Sequence, residues 1–297
     1  MAETRPHYTT PSMDEFQPIP IERRGRRRRK GRGCSVLLAM LIIAVIYLLF
    51  PLNINILILG IDRAPEGTAL GRSDTIMLTQ ARPLSGKINL LSVPRDLWVA
   101  IPGYGEERIN AAHYFGEAAE TGGGPQLAAD TIEANFGFRT GYTVRIQLEN
   151  FPAVVDALGG VDLLLENSMG GLPPGEHHLD GTQALAFVRD RAGTDDFYRM
   201  AQGQVMGRAL FYELLDPANW LRIPAVLGQA VQVVEVDIPL WQWPRLLLVL
   251  LRAGPDGIHS ESLTREMAVG FTTSSGAQVL LPQWELITPL VKDLFGG

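Results

Sequence analysis

Cysteine is almost missing from this 297-residue chain, with Cys34 its single example. A disulfide framework and a cysteine-rich metal site are therefore excluded. Cys34 has no apolar run before it, so a bacterial lipoprotein signal does not fit either. Histidine is scarce, and His113, His177 and His178 do not fall in the HExxH spacing of a zinc protease. No GxxxxGK[ST] occurs, which argues against a P-loop enzyme, and Ser73 and Ser92 sit in no recognisable nucleophile elbow. Positive charge is missing where a nucleic-acid binder would need it. Residues 1–33 hold nine of the 26 basic residues and four of the 32 acidic ones, leaving 17 against 28 and a net −11 for the rest. So acidic a body is a poor general polyanion binder, and any anion site must be a local cluster of arginines. No nucleic-acid partner is expected.

What the chain does contain is one long apolar run. Residues 34–50, CSVLLAMLIIAVIYLLF, carry no charge and follow RRGRRRRKGRG. With its flanks, at about 1.5 Å per residue, the run approaches the roughly 30 Å hydrocarbon core of a bilayer. The basic block predicts a cytoplasmic N-terminus and a C-terminal domain on the outer side of the cell membrane. PLNINILILG follows where a cleaved signal would carry a small-residue cleavage site, so the reading is an uncleaved single-pass anchor. The expected organisation is a disordered basic tail over 1–33 and a transmembrane anchor over 34–51. A catalytic domain over 52–216 and a C-terminal extension over 217–297, packing on that domain, complete it.

Past the anchor, apolar patterning alternates between strand and helix periods. NINILILGID (53–62), TIMLTQA (75–81), KINLLSV (87–93), TVRIQL (143–148) and VDLLLE (161–166) read as strands. Residues 125–136 and 151–160 read as helices ended by glycines. Asp180-Gly181 reads as a helix start, and residues 197–215 as a longer helix with Met200, Val205, Ala209, Leu210 and Leu214 inward. Strands alternating with helices predict a layered α/β/α fold with a central mixed β-sheet. Residues 218–253 are apolar and rich in tryptophan, with RLLLVLLRA (245–253) too brief to span a bilayer; core packing is the expectation and membrane-surface contact the alternative. The remaining C-terminal stretch resembles a hairpin followed by a helix.

Four charged places offer chemistry. Asp62 follows a strand end, Asp74 precedes a strand, and Arg95 and Asp96 follow the strand-ending Pro94. Ligands gather in such loops in open α/β sheets. The fourth is FVRDRAGTDDFYR (187–199), with Arg189, Arg191 and Arg199 among Asp190, Asp195 and Asp196. In an extended segment Arg189 and Arg191 would point to one face. Asp195 or Asp196 would cap the next helix, placing Arg199 in its first turn, where a bound anion would offset the unfavourable dipole. Asp62 and Asp74 together make a hard oxygen site of the kind that holds Mg²⁺ with phosphate oxygens and water. The ligand suggested is a phosphate or pyrophosphate with a divalent ion. Plainer readings exist for each: turn residues for Asp62 and Asp74, a solvated paired face for Arg189 and Arg191, a residue holding Arg95 for Asp96, and a packing residue for His113.

Taken in order, NILILGID (55–62), GRSDTIML (71–78), INLLSVPRD (88–96), RINAAHYFG (108–116), VVDALGGVDL (154–163), LDGTQALAFVRDR (179–191) and DDFYR (195–199) resemble the LytR-CpsA-Psr family of cell-wall polymer ligases. The resemblance implies a mixed sheet flanked by helices, with an apolar groove for a polyprenyl chain. It implies that a glycan phosphate passes from a polyprenyl-pyrophosphate carrier to a hydroxyl of peptidoglycan or another wall glycan. Under it, Asp62 and Asp74 would hold Mg²⁺, and Arg95, Arg189, Arg191 and Arg199 would bind the pyrophosphate. Asp196 would orient an arginine or assist acid–base work. The chain departs from the family's RxxRQ with RMAQGQ, which puts Gln202 and Gly203 at the second Arg and the Gln. Gln204 would replace the missing amide only with a register change, and Arg63 or Arg72 would stand in for an Arg two residues after Asp62. A polyprenyl-pyrophosphate hydrolase and a non-catalytic binder of lipid-linked glycan remain the alternatives.

Overall fold

The computed structural model describes residues 32–50, 52–62, 64–65, 68–190, 196–254 and 257–296. Most of the expected basic tail, and both Arg191 and Asp195, lie outside the described residues. The chain divides into two compact units, residues 1–45 and 46–297. The apolar run forms α1 (Arg32–Leu48), 17 residues long, with exposed side chains over 35–46. Among the described residues no helix is long and apolar enough to cross a membrane.

In chain order the second unit continues with β1 (Ile54–Ile61), β2 (Ser73–Arg82), β3 (Lys87–Ser92), β4 (Trp98–Ile101) and β5 (Gly105–Arg108). Then come α2 (Ala111–Ala119), α3 (Gly124–Phe136), β6 (Tyr142–Gln147), α4 (Phe151–Leu158), β7 (Val161–Leu165) and β8 (Gly175–Leu179). α5 (Gly181–Arg189), α6 (Asp196–Leu215), α7 (Ile223–Val233) and β9 (Val234–Val236) follow. The C-terminal part comprises α8 (Trp243–Ala253), β10 (Ile258–Ser262), β11 (Ala268–Thr272), β12 (Gln278–Pro282) and α9 (Trp284–Phe295).

Six strands form one sheet in the order β10-β3-β2-β1-β6-β9. It is mixed: β1 runs parallel to β6 and β3 to β10, whereas β2 is antiparallel to both β1 and β3. Alternation along β1 sends Leu57, Leu59 and Ile61 to one face and Ile54 and Ile56 to the other. The first set joins Ala112, Ala129 and Ile132 of α2 and α3 and Ile287, Val291 and Leu294 of α9 in the largest core cluster. The second packs on Val249 and Ala253 of α8. A third cluster ties α4, α5 and α6 to the β7–β8 hairpin through Val155, Leu163, Phe187 and Met206.

Residues 217–297 are woven into this unit rather than laid against it. They supply both edge strands, β9 and β10, and α9 of the main core. The last carbonyls of α9 are received by the sheet: Gln80 donates to Phe295 O, and Arg82 and Asn89 donate to Leu294 O. These bonds satisfy acceptors that a helix end cannot satisfy itself. Two local expectations shift. Arg189 ends a helix instead of lying in an extended segment. Leu214 is exposed, while Gln202, Met206 and Ala209 turn inward along α6, because α6 presents that face to α5 and the β7–β8 hairpin.

Candidate active site

The parallel strands β1, β3, β6 and β10 all end at one edge of the sheet, and β2 begins there. Ile61 pairs with Ser73 beside a bulge, so Asp62 and Asp74, next along each strand, are brought to the same end. Val93 and Pro94 end β3 at that edge, and Arg95 and Asp96 turn out from it. α5 and α6 close in from the side, delivering Arg189 from a last helical turn and Arg199 from a first turn. The entry to α5 is fixed by a capping box: Asp180 accepts from Gln183 N at 2.8 Å, and the Gln183 side chain accepts from Asp180 N at 3.0 Å.

The charges interleave. Arg95 Nη1 lies 2.6 Å from Asp74 Oδ1, and Arg199 Nη2 lies 3.7 Å from Asp74 Oδ2. Arg95 Nε is 3.6 Å from Asp96 Oδ2, and Asp96 Oδ1 is 3.3 Å from Arg108 Nε. Arg189 donates to the buried carboxylate of Asp62. Arg95, Arg189, Arg199, Asp62 and Asp74 are thus gathered at one end of the sheet, and Asp96 holds Arg95 as the plainer reading expected. Arg191 lies outside the described residues, as does Arg63. Asp196 is the first residue of α6, and its side chain lies outside the described ones. Arg72 is exposed one residue before β2.

The departure from the family pattern has a structural meaning. Gln202 is fully buried and donates to Phe187 O at 2.9 Å, tying α6 to α5. It faces the core, where an arginine would need a partner of opposite charge. Gly203 has open space where a Cβ would stand. Gln204 Nε2 lies 2.8–3.1 Å from Ser92 Oγ, Ser262 Oγ and Glu261 O, its two hydrogens shared among the three oxygens, joining α6 to the C-terminal ends of β3 and β10. Sequence reasoning missed Arg108, Ser262 and this role of Gln204. A signal existed only for Gln204, in the amide-rich AQGQ.

Behind the carboxylates lies a buried polar cluster that also escaped the sequence. Arg145 of β6 meets Glu117 of α2 at 2.9 Å and Glu235 of β9. Glu117 also accepts from Gly122 N and Gly124 N. Burial pushes the Glu117 carboxyl up, but the Gly122 N–H, Arg145 and the Gly124 N–H together hold it below its ordinary value. His113, completely buried, contacts Gly71 O through Nδ1 at 2.8 Å. Burial lowers its pKa, and nearby Arg145 acts the same way against the opposing Gly71 contact. The neutral ring is therefore an Nδ1–H donor that fixes the backbone just ahead of Asp74.

On the α8 side of the sheet, Ile58, Met77, Leu90, Val144 and Ile146 are only half-buried. They continue from the charged end as an apolar strip. For a metal, the described residues contain no group of three or more His, Cys, Asp or Glu. Two carboxylates at a strand end still fit Mg²⁺, which commonly takes one or two protein oxygens and completes its shell with water and phosphate.

The arrangement is that of a mixed α/β protein whose sheet end gathers arginines and carboxylates beside a half-buried apolar strip. The LytR_cpsA_psr family matches residues 52–284, and the chain belongs to it. Among curated relatives, it is 37% identical over 190 residues to the polyisoprenyl-teichoic acid–peptidoglycan teichoic acid transferase TagU of Oceanobacillus iheyensis, covering 60% of this chain and 58% of that protein. It is 31% identical over 195 residues to the regulatory protein MsrR of Staphylococcus aureus, covering 63% and 57%. The aligned part thus spans less than two thirds of these relatives' length. Solved structures share the fold: TagT bound to LI-WTA has a TM-score of 0.66 at 23% identity, over 82% of this chain and 90% of that one. B. subtilis TagV has a TM-score of 0.66 at 23% identity, over 83% and 98%.

Proposed function

We propose that this protein is a membrane-anchored transferase of wall glycopolymers. It moves a glycan phosphate from a polyprenyl-pyrophosphate carrier to a hydroxyl of peptidoglycan or another wall glycan, at the outer face of the cell membrane. The observation that carries this reading is the interleaved set Arg95–Asp74–Arg199 and Arg189–Asp62 at a sheet end, continued by the half-buried apolar strip. Arginine's planar fork suits phosphate oxygens, and the strip suits the prenyl chain. The name of TagU, whose sequence is similar, supports the same class of substrate.

In this mechanism the acceptor hydroxyl oxygen attacks the glycan-bearing phosphorus, the pyrophosphate P–O bond breaks, and polyprenyl phosphate leaves. Arg95, Arg189, Arg191 and Arg199 hold the pyrophosphate and neutralise charge growing on the leaving phosphate. Asp62 and Asp74 hold Mg²⁺, which when bound supplies Lewis-acid polarisation of phosphate oxygens. Asp196 orients an arginine or takes the hydroxyl proton. His113 keeps the Gly71 carbonyl, and so the approach to Asp74, in place.

The anchor is residues 34–51. Its support is sequence hydropathy, the preceding basic block and the exposed apolar surface of α1. At roughly 1.5 Å per residue, 17 residues reach about 26 Å, the short end of a spanning length.

The test uses the full chain in lipid nanodiscs with a synthetic polyprenyl-pyrophosphate glycan and peptidoglycan fragments, with and without Mg²⁺, read by mass spectrometry. Glycan phosphate on the acceptor, lost in Asp74→Ala, supports the transferase. Free glycan phosphate with an unmodified acceptor means a hydrolase, and bound lipid without product means a binder.

A further inference from the structure

α8 is apolar on two sides. Val249 and Ala253 face the sheet, where the helix is needed for the core. Trp243, Leu247 and Leu251, spaced four apart, form a second stripe that is 47%, 55% and 60% exposed. Leu240 and Trp241 extend it in the preceding turn, at 86% and 57%. A monomer's exposed apolar patch of this kind marks a contact surface. Eleven residues are too few to span a bilayer.

Where the chain enters the folded unit identifies the contact. Arg245, buried on this same helix, donates to Phe50 O at 2.8 Å and Leu52 O at 2.7 Å. α8 therefore grips the point at which the apolar run of residues 34–50 gives way to β1. A cavity of about 600 Å³ opens there, lined by Tyr47, Phe50, Tyr142 and Trp241 among others. Tyrosine and tryptophan concentrate at the membrane–water boundary, where an apolar ring and a polar edge are both accommodated.

We propose that Leu240, Trp241, Trp243, Leu247 and Leu251 form an interfacial face that lies in the outer-leaflet boundary and holds the folded unit against the bilayer. This rests on the proposed anchoring of residues 34–51. The stripe adds a second, in-plane attachment, as amphipathic interfacial helices do.

The five tryptophans are a built-in probe: Trp98, Trp220, Trp241, Trp243 and Trp284. The full chain is placed in nanodiscs of phosphatidylcholine and phosphatidylglycerol, with and without brominated acyl chains, and its intrinsic fluorescence is measured. Brominated lipid is expected to quench the native chain. The Trp241→Phe/Trp243→Phe variant should lose about half or more of that quenching, as befits side chains at the interface. Trp98→Phe and Trp284→Phe should leave the quenched component intact. Both replaced side chains in the double variant are substantially exposed, and an unchanged melting temperature confirms its fold. A chain that enters the discs but is not quenched, or whose quenching survives the double variant, overturns the interfacial face and leaves the anchor standing. A chain that does not enter the discs overturns the anchor and this inference with it. Chemical crosslinking between stripes of two copies, without quenching, means that the occupant is another copy and refutes the bilayer.

Discussion

Glu117→Gln removes one charge from the buried cluster behind the candidate active site and leaves the shape nearly unchanged. The side chains of Glu117 and Arg145 are only 5% and 7% exposed, so solvent screens their attraction little. Breaking a buried pair by deleting one charge costs about 3–5 kcal/mol. Two features set where in that range the loss falls. Arg145 keeps Glu235, which softens the loss. The amide, however, has one acceptor oxygen for the two backbone N–H groups of Gly122 and Gly124 that the carboxylate serves, and a stranded buried donor costs about 1–3 kcal/mol. The two corrections oppose each other, so the expected loss stays within that range, at least about 3 kcal/mol. At roughly 2–4 °C per kcal/mol for a unit of this size, the melting temperature falls by about 6–12 °C. The assay is thermal unfolding of the full chain in nanodiscs at pH 7, followed by tryptophan fluorescence. Glu235→Gln serves as the contrast, since that side chain is 54% exposed and should cost no more than about 1 kcal/mol. A drop under about 2 °C for Glu117→Gln, or equal drops for the two variants, would refute the assignment of the stability to burial.

Arg189→Ala should lower turnover about 10²–10³-fold, the cost of one preorganised donor; equal rates for variant and native chain would remove Arg189 from the pyrophosphate site. The buried His113 has a lowered pKa, so its contribution is complete above the unfolded value of about 6.5 and is lost as pH falls below it. Melting temperatures from pH 8 to 5 should therefore decline more steeply for the native chain than for His113→Asn, and parallel curves would count against a neutral buried ring. Glu117, held low in the folded chain, adds stability above its unfolded pKa that is lost as pH falls through the folded one, so Glu117→Gln should flatten the acid limb below about pH 4.5. Gly203→Ala should raise stability by about 1 kcal/mol through helix propensity, because a Cβ there meets nothing within 4 Å; a lower melting temperature would show that α6 needs the glycine.

The strands that bring Asp62, Asp74 and Arg95 to the site were legible because each has an apolar alternation with the charged residue at or just beyond one end, a local signal. The helix start at Asp180 was legible for the same reason. The pairing of β10 with β3 was not, since it joins Ile258 to Ile88 and neither segment carries a mark of the other. The inward face of α6 was read from apolar spacing alone, which put Leu214 inside and overlooked Gln202, whose burial depends on a carbonyl of α5. Arg108 joins the site only through Asp96, a contact between separate turns that spacing does not encode. The cluster of His113, Glu117, Arg145 and Glu235 comes from three elements, α2, β6 and β9, and in sequence its members look like ordinary surface charges and a packing histidine.

β1 also acts as a ruler. Its first residues adjoin the point where Arg245 grips Phe50 and Leu52, and its far end delivers Asp62. Eight residues at about 3.3 Å each separate these points by roughly 26 Å. Under the proposed function, a lipid-borne substrate entering from the anchor side must bring its reacting phosphate about that far along the sheet. The proposed carrier would therefore have to be long and supple as well as charged. A short-chain lipid pyrophosphate, although it bears the same head, would be stranded below the arginines, and reactivity would depend on tail length with a threshold instead of a gradual slope.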